Sequence, residues 1–336
     1  MSQHREWFTI CAESSALREE SIRRTWWELY TIDALFAGFQ YERAVRVNDV
    51  VADMLLPVED SAYASGFPTK SILGMQHLRH RVFLDGSLLS SYALRIEAAW
   101  KLNRVLVAND SGGTVNVPSM RSLDGFLSSW FASLPETEAE VIASDGACDE
   151  VLFQAHAIVS MANIHLHMPR SNVFNLGMKT DIECVKHSRP STASLSPTMH
   201  ATKATNAAEQ LAKLASTTLD QHDHTPLFNC SLMLIAIIHL SAVAGQVGKL
   251  SDSDTDRLSQ ALALLKSASR TWPIAAMGYT QLKSFASFVS GTTPVETSTV
   301  HEPSTSATDL QACCDSGQYQ PELASLANSY ILDRPE

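Results

Sequence analysis

Residues 19–33 read Glu-Glu-Ser-Ile-Arg-Arg-Thr-Trp-Trp-Glu-Leu-Tyr-Thr-Ile-Asp, which places carboxylates, guanidinium groups and adjacent tryptophans in one predicted helix. Apolar residues recur in it at helical spacing, and one stripe collects Ile22, Trp26, Leu29, Asp33 and Phe36. The spacing predicts that this stripe is buried and that Trp27 lies off it. Because a carboxylate removed from water needs an ionic or hydrogen-bonded partner, we expect Asp33 to pair with Arg43 or Arg46.

Hydropathy and charge indicate a globular chain that does not bind nucleic acid directly. The 336 residues are 45% hydrophobic, which is ample for a buried core. The formal net charge of -11 opposes binding to a phosphate backbone. The densest positive run is typical of a solvated helix face and consists of His77, Arg79, His80 and Arg81.

The cysteines and the first residues indicate a reducing compartment. The six cysteines stand at 11, 148, 184, 230, 313 and 314, without the close Cys-x-x-Cys pairs that tetrahedral zinc sites usually require. Residues 1–10 have no apolar signal core, so we expect reduced thiols in the nucleus or cytosol. Residues 227–245 approach membrane-spanning length, but several polar side chains favour a buried bundle helix and no membrane partner: Asn229, Ser231, His239 and Ser241.

Helical periodicity dominates the chain and alternating strand patterns are nearly absent, which predicts an all-α bundle or solenoid-like domain over residues 1–290. Residues 45–59 are predicted to form an extended connection. Helices are expected at 71–109 with a break at Gly86, at 123–134, 151–167 and 207–218, from 227, at 258–265, and after Trp272-Pro273. We expect a mobile Ser- and Pro-rich loop near 186–199 and a mostly disordered tail over 291–336.

Motifs of common active sites are missing from the sequence. There is no Gly-x-Ser-x-Gly, His-Glu-x-x-His or phosphate-loop pattern, so no catalytic, cofactor-binding or metal-binding residue is predicted. His165 and His167 are separated by about 200 degrees on a helix and cannot chelate one ion, so we expect a core histidine and a helix-end histidine that favours the helix dipole. His222 and His224 are expected to be solvated beside a helix start.

Six motifs occur in an order that is typical of one known family. The 19–33 segment is followed by Leu56-Pro57, Leu134-Pro135, a His-x-Pro-Arg pattern, a Thr-Pro pattern over 225–240 and a run over 265–273. Together they resemble the middle homology region of fungal binuclear zinc-cluster (Zn2Cys6) transcription factors. The motif residues are Glu20, Arg23, Arg24, Trp26, Trp27, Asp33, His167, Pro169, Arg170, Trp272 and Pro273.

The resemblance implies an all-helical regulatory domain of a nuclear, non-catalytic transcription regulator, acting on metabolic or secondary-metabolite genes. Two features depart from the family. The six-cysteine zinc cluster is absent, and Ala34 stands where the family usually has an arginine. We therefore expect action through the transcription machinery, a DNA-binding regulator or a small effector, in either a truncated gene product or a natural form that lacks the DNA-binding module.

An alternative reading of the polar residues on the predicted helices stays open. His156 and Asp33 are titratable residues within predicted helices, and helical bundles form ligand pockets between their helices. An all-helical enzyme or a small-molecule-binding protein is therefore the second hypothesis. A pocket lined by titratable side chains is the structural feature that it requires.

Overall fold

The computed structural model describes residues 16–40, 54–65, 73–78, 89–110, 117–134, 140–142, 146–171, 182, 185, 196–217, 224–245 and 252–289. Across these ranges the chain forms α-helices and, in place of strands, two isolated bridges. The prediction of an all-α fold is confirmed. The helices are α1 (Ala16–Gln40), α2 (Asp60–Ala64), α3 (Met75–Leu78), α4 (Ser91–Asp110), α5 (Val117–Ala132), α6 (Glu150–His167), α7 (Pro197–Thr217), α8 (Phe228–Gly245), α9 (Asp252–Ala268) and α10 (Pro273–Val289), with a 3-10 turn at Met168–Arg170.

The central pair of the fold is α4 against α6. Helix α1 also packs on α4, α7 packs on α6, α8 packs on α7, and α9 and α10 both pack on α8. Successive long helices therefore lie side by side and share one continuous hydrophobic core. Burial of apolar area along these contacts is the dominant stabilising contribution.

Helix α4 is buried along most of its length even though it carries charged residues. The Glu97 carboxylate accepts a hydrogen bond from Trp130 Nε1 at 2.9 Å and lies 3.3 Å from the Lys101 ammonium. Lys101 also donates to the Phe126 carbonyl of α5 at 3.1 Å. Because each buried charge has an opposite charge or a dipole as its partner, α4 stays in the core and also fastens α5.

Helix α8 is buried on all described sides, as its apolar sequence predicts. Its polar side chains bond locally: Asn229 Nδ2 donates to the Pro226 carbonyl at 2.9 Å, and Ser231 Oγ lies 3.0 Å from Met161 Sδ. Local bonds of this kind remove most of the cost of burying a polar group. None of the helices in the described ranges is long and apolar enough to cross a membrane.

The buried face of α1 differs from the predicted stripe, which is wrong. Trp27 is fully buried, whereas Leu29 is 59% exposed, Phe36 is 51% exposed and Asp33 is also exposed. The helix has apolar residues around most of its circumference, so helical spacing alone cannot select one face. The buried face of α1 consists of Glu20, Arg24, Trp27, Tyr30, Thr31, Ala34, Leu35 and Ala37.

The predicted long helix over 71–109 begins only at Ser91. Residues 75–78 form the short helix α3. Ser90 caps α4, because its Oγ accepts a hydrogen bond from the Ala93 N–H group at 3.1 Å. The predicted helices at 123–134, 151–167, 207–218, 258–265 and after Trp272 correspond to α5, α6, α7, α9 and α10. Helix α7 begins at Pro197, inside the predicted loop, because proline suits the first helical position. Residues 45–53, 79–88, 186–195 and 291–336 lie outside the described ranges.

Candidate functional site: two buried polar clusters and a cleft

A buried carboxylate holds α1 against the extended connection that precedes α2. Glu20 is 1% exposed; its Oε1 accepts hydrogen bonds from the Val58 N–H at 2.9 Å and from Arg24 Nε at 3.1 Å. Its Oε2 pairs with Arg23. The carboxylate that α1 buries is therefore Glu20, and its partners come from both its own helix and the connection.

The Arg24 guanidinium is enclosed by groups from three other segments. It donates to the Val58 carbonyl at 2.8 Å and forms an ion pair with Asp60 at the start of α2. Its carbon lies 4.3 Å from the centre of the Tyr63 ring and 4.4 Å from that of Tyr92. A planar cation between two aromatic rings keeps favourable electrostatic contact after it loses water.

Trp27 completes this arrangement, which we call the Glu20 clamp: Glu20, Arg24 and Trp27 with the connection 55–60. Trp27 Nε1 donates to the Leu55 carbonyl at 2.8 Å, and its ring meets Tyr30 edge to face at 5.5 Å. Three side chains on one face of α1 thus satisfy polar backbone groups of an extended segment that has no sheet to pair with. The prediction that residues 45–59 are extended is confirmed for 54–59.

The predicted clamp at Asp33 is wrong, because this side chain is exposed. Its proposed partners, Arg43 and Arg46, lie outside the described residues. Trp26 is half-buried and packs at the edge of the core, so the two tryptophans have exchanged the roles that the stripe predicted. Glu20, Arg24 and Trp27 also recur at four and three residues, so helical spacing is compatible with either face and does not choose between them.

A chain of polar contacts connects α1 to the start of α8. Arg95 of α4 forms an ion pair with Glu28 and donates to Gln154 Oε1 at 2.6 Å. Gln154 Nε2 donates to Glu150 Oε1 at 3.0 Å, and Glu150 Oε2 lies 2.7 Å from His224 Nδ1. These links cross three helices at one end of the bundle, so they fix the positions of these helix ends relative to one another.

His224 is buried, contrary to the prediction that it is solvated. It is 7% exposed, and its ring stacks on Phe153 with centres 4.2 Å apart and planes at 11°. Its neighbour His222 lies outside the described residues. The difference arises because the stacking partner is about 70 residues away in sequence, where local patterns give no indication of it.

The second polar cluster lies where α5, α6 and α7 meet, and we call it the His167 cluster: Asp124, His167, His200 and Lys203. His167 Nδ1 lies 2.8 Å from His200 Nδ1, so one ring donates a hydrogen bond to the other. His167 Nε2 lies 3.2 Å from Asp124 Oδ1 without hydrogen-bond alignment, and Lys203 pairs with the other Asp124 oxygen. The cluster therefore joins three helices through two rings and one carboxylate.

The histidines of this region are held neutral. Burial lowers the pKa of His167 to about 4, against an opposing effect of Asp124, and burial also lowers the pKa of His200. His165, fully buried as predicted for a core histidine, has its pKa lowered to about 4 by burial alone. Burial thus opposes the positive charge through which a histidine at this helix end would favour the helix dipole.

The 3-10 turn after α6 positions Arg170 under the same helix end. Arg170 Nη1 donates to the Leu166 carbonyl at 2.6 Å and to Asn109 Oδ1 at 2.7 Å, while Asn109 Nδ2 donates to the His165 carbonyl at 2.9 Å. Burial lowers the pKa of Arg170 to about 10. Pro169 is buried within the turn. His167, Pro169 and Arg170, which belong to one sequence motif, therefore lie together at one helix end, where Arg170 and Asn109 satisfy two of its open carbonyl groups.

Trp272 and Pro273 lie apart from both clusters. Pro273 is the first residue of α10, and the Trp272 carbonyl accepts a hydrogen bond from the Ala275 N–H group at 3.0 Å. The Trp272 side chain is 37% exposed and borders a small gap beside His224 and Thr225. This motif therefore begins a helix and stays at the surface.

A cleft of about 510 Å³ opens between α5, α6, α7 and residues 140–142. Its described lining contains two buried polar side chains, His156 and Ser160, and the charged residues Glu140 and Lys213. This is the type of pocket with titratable groups that the alternative hypothesis requires, although Asp33 is not part of it. In the described part of the chain, no group of three or more His, Cys, Asp or Glu side chains is placed to hold a metal ion.

Comparison with known proteins supports the resemblance drawn from the sequence motifs. The chain is 27% identical over 285 residues to the C6 finger domain transcription factor iacK of Pestalotiopsis fici, a match that covers 84% of this chain and 42% of that protein. No protein-family model matches the chain. No solved structure matches it either. The similarity to a zinc-cluster transcription factor is thus shown for most of the chain, which spans less than half of its relative.

Proposed function

We propose that this chain is the regulatory region of a nuclear transcription regulator and acts without catalysis, through contacts with protein partners. The observation that carries the proposal is the similarity to a C6 finger transcription factor over 84% of the chain. Because the match spans 42% of that protein, no DNA-contacting role is transferred to any residue here.

The placement of the motif residues supports a structural use of them rather than a reaction centre. Glu20, Arg24 and Trp27 fasten α1 to the connection, and His167 and Arg170 fasten the end of α6. Their polar groups are turned towards helices and backbone, away from the cleft. Residues used in this way keep a regulatory body in one shape, on which a partner can depend.

The partners we propose are proteins of the transcription machinery or a DNA-bound regulator. The net charge of -11 favours a protein partner over the phosphate backbone. Control of a metabolic or secondary-metabolite gene set is proposed from the family resemblance. Deletion of the gene followed by transcript profiling tests that part, and an unchanged transcript profile would refute it.

A tethering experiment tests the regulatory role directly. The chain is fused to a bacterial DNA-binding domain and expressed with a reporter that carries the matching operator. We expect reporter transcription to rise or fall relative to the DNA-binding domain alone, and a fluorescent fusion of the chain to accumulate in the nucleus. The Glu20→Ala variant, which should destabilise the helical body, provides the matched control and should lose the effect.

Two results would contradict the proposal. One is reporter output equal to that of the DNA-binding domain alone, with the fusion protein present at normal amounts. The other is exclusion of the fluorescent fusion from the nucleus under conditions in which the gene is expressed. The amount of fusion protein is measured by immunoblot in each case, so that loss of protein is not mistaken for loss of function.

A further inference from the structure

The cleft between α5, α6 and α7 has the size of a small-molecule site. Its volume of about 510 Å³ lies within the range of about 300–1,000 Å³ that is typical of such sites. It opens between packed helices, where bundles usually form ligand sites. Neither the Glu20 clamp nor the His167 cluster contributes a side chain to its described lining.

The walls of the cleft are apolar and come from three segments. Phe131 comes from α5 and Leu214 from α7, while Val141 belongs to the short segment before α6. Two backbone contacts fix that segment in place. The Val141 carbonyl accepts a hydrogen bond from the Asp149 N–H group at 2.9 Å, and Ile142 forms an antiparallel β-bridge with Cys148. The walls therefore suit the faces of a flat, apolar molecule.

The floor is formed by two polar side chains one turn apart on α6. Ser160 is 2% exposed, and His156 is 8% exposed. The His156 ring meets Trp130 at 5.3 Å and Phe131 at 5.4 Å, edge to face in both cases. Trp130 is itself held by its bond to Glu97. The orientation of His156 is thus set by its neighbours, so the floor presents polar groups in a fixed arrangement.

Lys213 of α7 is the only lysine or arginine among the described residues that line the cleft. Gln210, Lys213, Leu214 and Thr217 recur at three, four and seven residues, so they form one face of that helix along the cleft. None of the described carboxylates forms an ion pair with the Lys213 ammonium. Among the described residues that line the cleft, Glu140 is the only acidic one. An anionic group is the ligand chemistry that Lys213 recognises best.

We propose that this cleft binds a small molecule with a flat aromatic body and one anionic group. The body lies between Phe131 and Leu214, the anion meets Lys213, and a polar substituent reaches Ser160. The inference goes beyond the proposed function, because it concerns binding by the purified chain and does not require a role in transcription. A failed binding test and a failed reporter test are therefore separate results.

Two fluorescent probes that share an aromatic body test the proposal. Anilinonaphthalene sulfonate carries one anionic group, and N-phenyl-1-naphthylamine carries none. For the purified full chain we expect saturable binding of the sulfonate with one site per chain. Lys213→Gln should weaken binding of the sulfonate about tenfold, as for loss of one charge-assisted hydrogen bond, and leave the uncharged probe unchanged. Glu140→Gln should strengthen binding of the sulfonate.

A variant that fills the cleft locates the bound probe. Gln210→Trp places an indole on an exposed position of the lining and should abolish binding of both probes. If its thermal midpoint falls, Thr217→Trp on the same exposed face of α7 repeats the test. Lys266→Gln, an exposed lysine of α9 outside the lining, should leave both affinities unchanged.

Three outcomes would overturn the proposal. Fluorescence of the sulfonate that does not saturate indicates general hydrophobic binding and no built site. Binding that persists in a folded Gln210→Trp or Thr217→Trp variant places the probe elsewhere. Equal loss of sulfonate affinity in Lys213→Gln and Lys266→Gln shows that only overall charge attracts the probe.

Discussion

The Glu20 clamp and the His167 cluster both bury polar groups where helices meet, but they satisfy these groups in different ways. In the clamp, charged side chains meet opposite charges, backbone groups and aromatic rings. In the His167 cluster, two rings are joined by a hydrogen bond and stay neutral because burial opposes their charge. The clamp therefore depends on paired charges, whereas the cluster depends on the absence of charge on its histidines.

This difference gives the two regions different sensitivities. Removing Glu20 leaves the Val58 N–H group without its acceptor and leaves Arg24 with Asp60 as its remaining opposite charge, so a buried polar network is broken, which is among the larger costs that a single substitution can cause. The His167 cluster should tolerate neutral replacements better, but should be weakened by acid.

Glu20→Ala should lower the free energy of unfolding by about 3–5 kcal/mol, since it leaves Arg24 and the Val58 N–H group without their shared acceptor. Urea denaturation of the purified chain measures the change. Asp33→Ala is the matched control on the same helix; because Asp33 is exposed, its effect should stay within about 0.5 kcal/mol. Equal losses in the two variants would mean that the buried face of α1 has been wrongly assigned.

Acid should destabilise the His167 region over a defined window. His165 and His167 have folded-state pKa values of about 4 against a reference value of 6.5, so the unfolded chain binds more protons between these limits. Stability is therefore complete above pH 6.5 and falls as the pH falls to 4, by about 1.4 kcal/mol per histidine for each unit of pKa difference at most. Unfolding free energies measured from pH 7 to pH 4 check this slope.

The His167→Gln variant tests which residues cause the acid effect. Glutamine can still bond to His200 but does not titrate, so the loss of stability between pH 6.5 and pH 4 should shrink by the share of His167 and leave the shares of His165 and His200. Glu59, whose pKa is raised by burial, acts in the opposite direction and is common to both proteins. An identical pH slope in the variant would exclude His167 as a cause.

The two tryptophans of α1 should respond unequally to the same substitution. Trp27→Phe removes the hydrogen bond to the Leu55 carbonyl inside the core and should cost about 1–3 kcal/mol. Trp26→Phe, at the half-buried edge of the core, should cost less than about 1 kcal/mol. Thermal and urea unfolding measure both. A larger loss for Trp26→Phe would restore the stripe predicted from helical spacing.

The sequence predicts helix positions well where the pattern is local. Helix α6 ends at His167, two residues before Pro169, and α10 begins at Pro273. Both boundaries follow because proline restricts the backbone of its immediate neighbours. The apolar run of α8 has no polar face, so its burial on all sides follows directly. In these regions the physical cause and the sequence signal lie within a few residues of each other.

The candidate sites depend on distant partners, and there the sequence is a weaker guide. Whether α1 buries Glu20 or Asp33 is decided by Val58 and Asp60, almost 40 residues away, and helical spacing contains no information about them. His156 could be named as a titratable residue on a helix, but the cleft around it forms only when α5 and α7 pack against α6. The sequence motif contains Glu20 and Arg24, but it does not predict which face of α1 is buried.

A double-mutant cycle between Glu20 and Arg24 tests the central claim that these side chains form a buried, mutually dependent pair. The free energies of unfolding are measured in urea for the original chain, Glu20→Ala, Arg24→Ala and the double variant. The account predicts a coupling energy of about 2 kcal/mol or more, with the double variant little worse than either single one. Losses that simply add, with a coupling energy near zero, would contradict it.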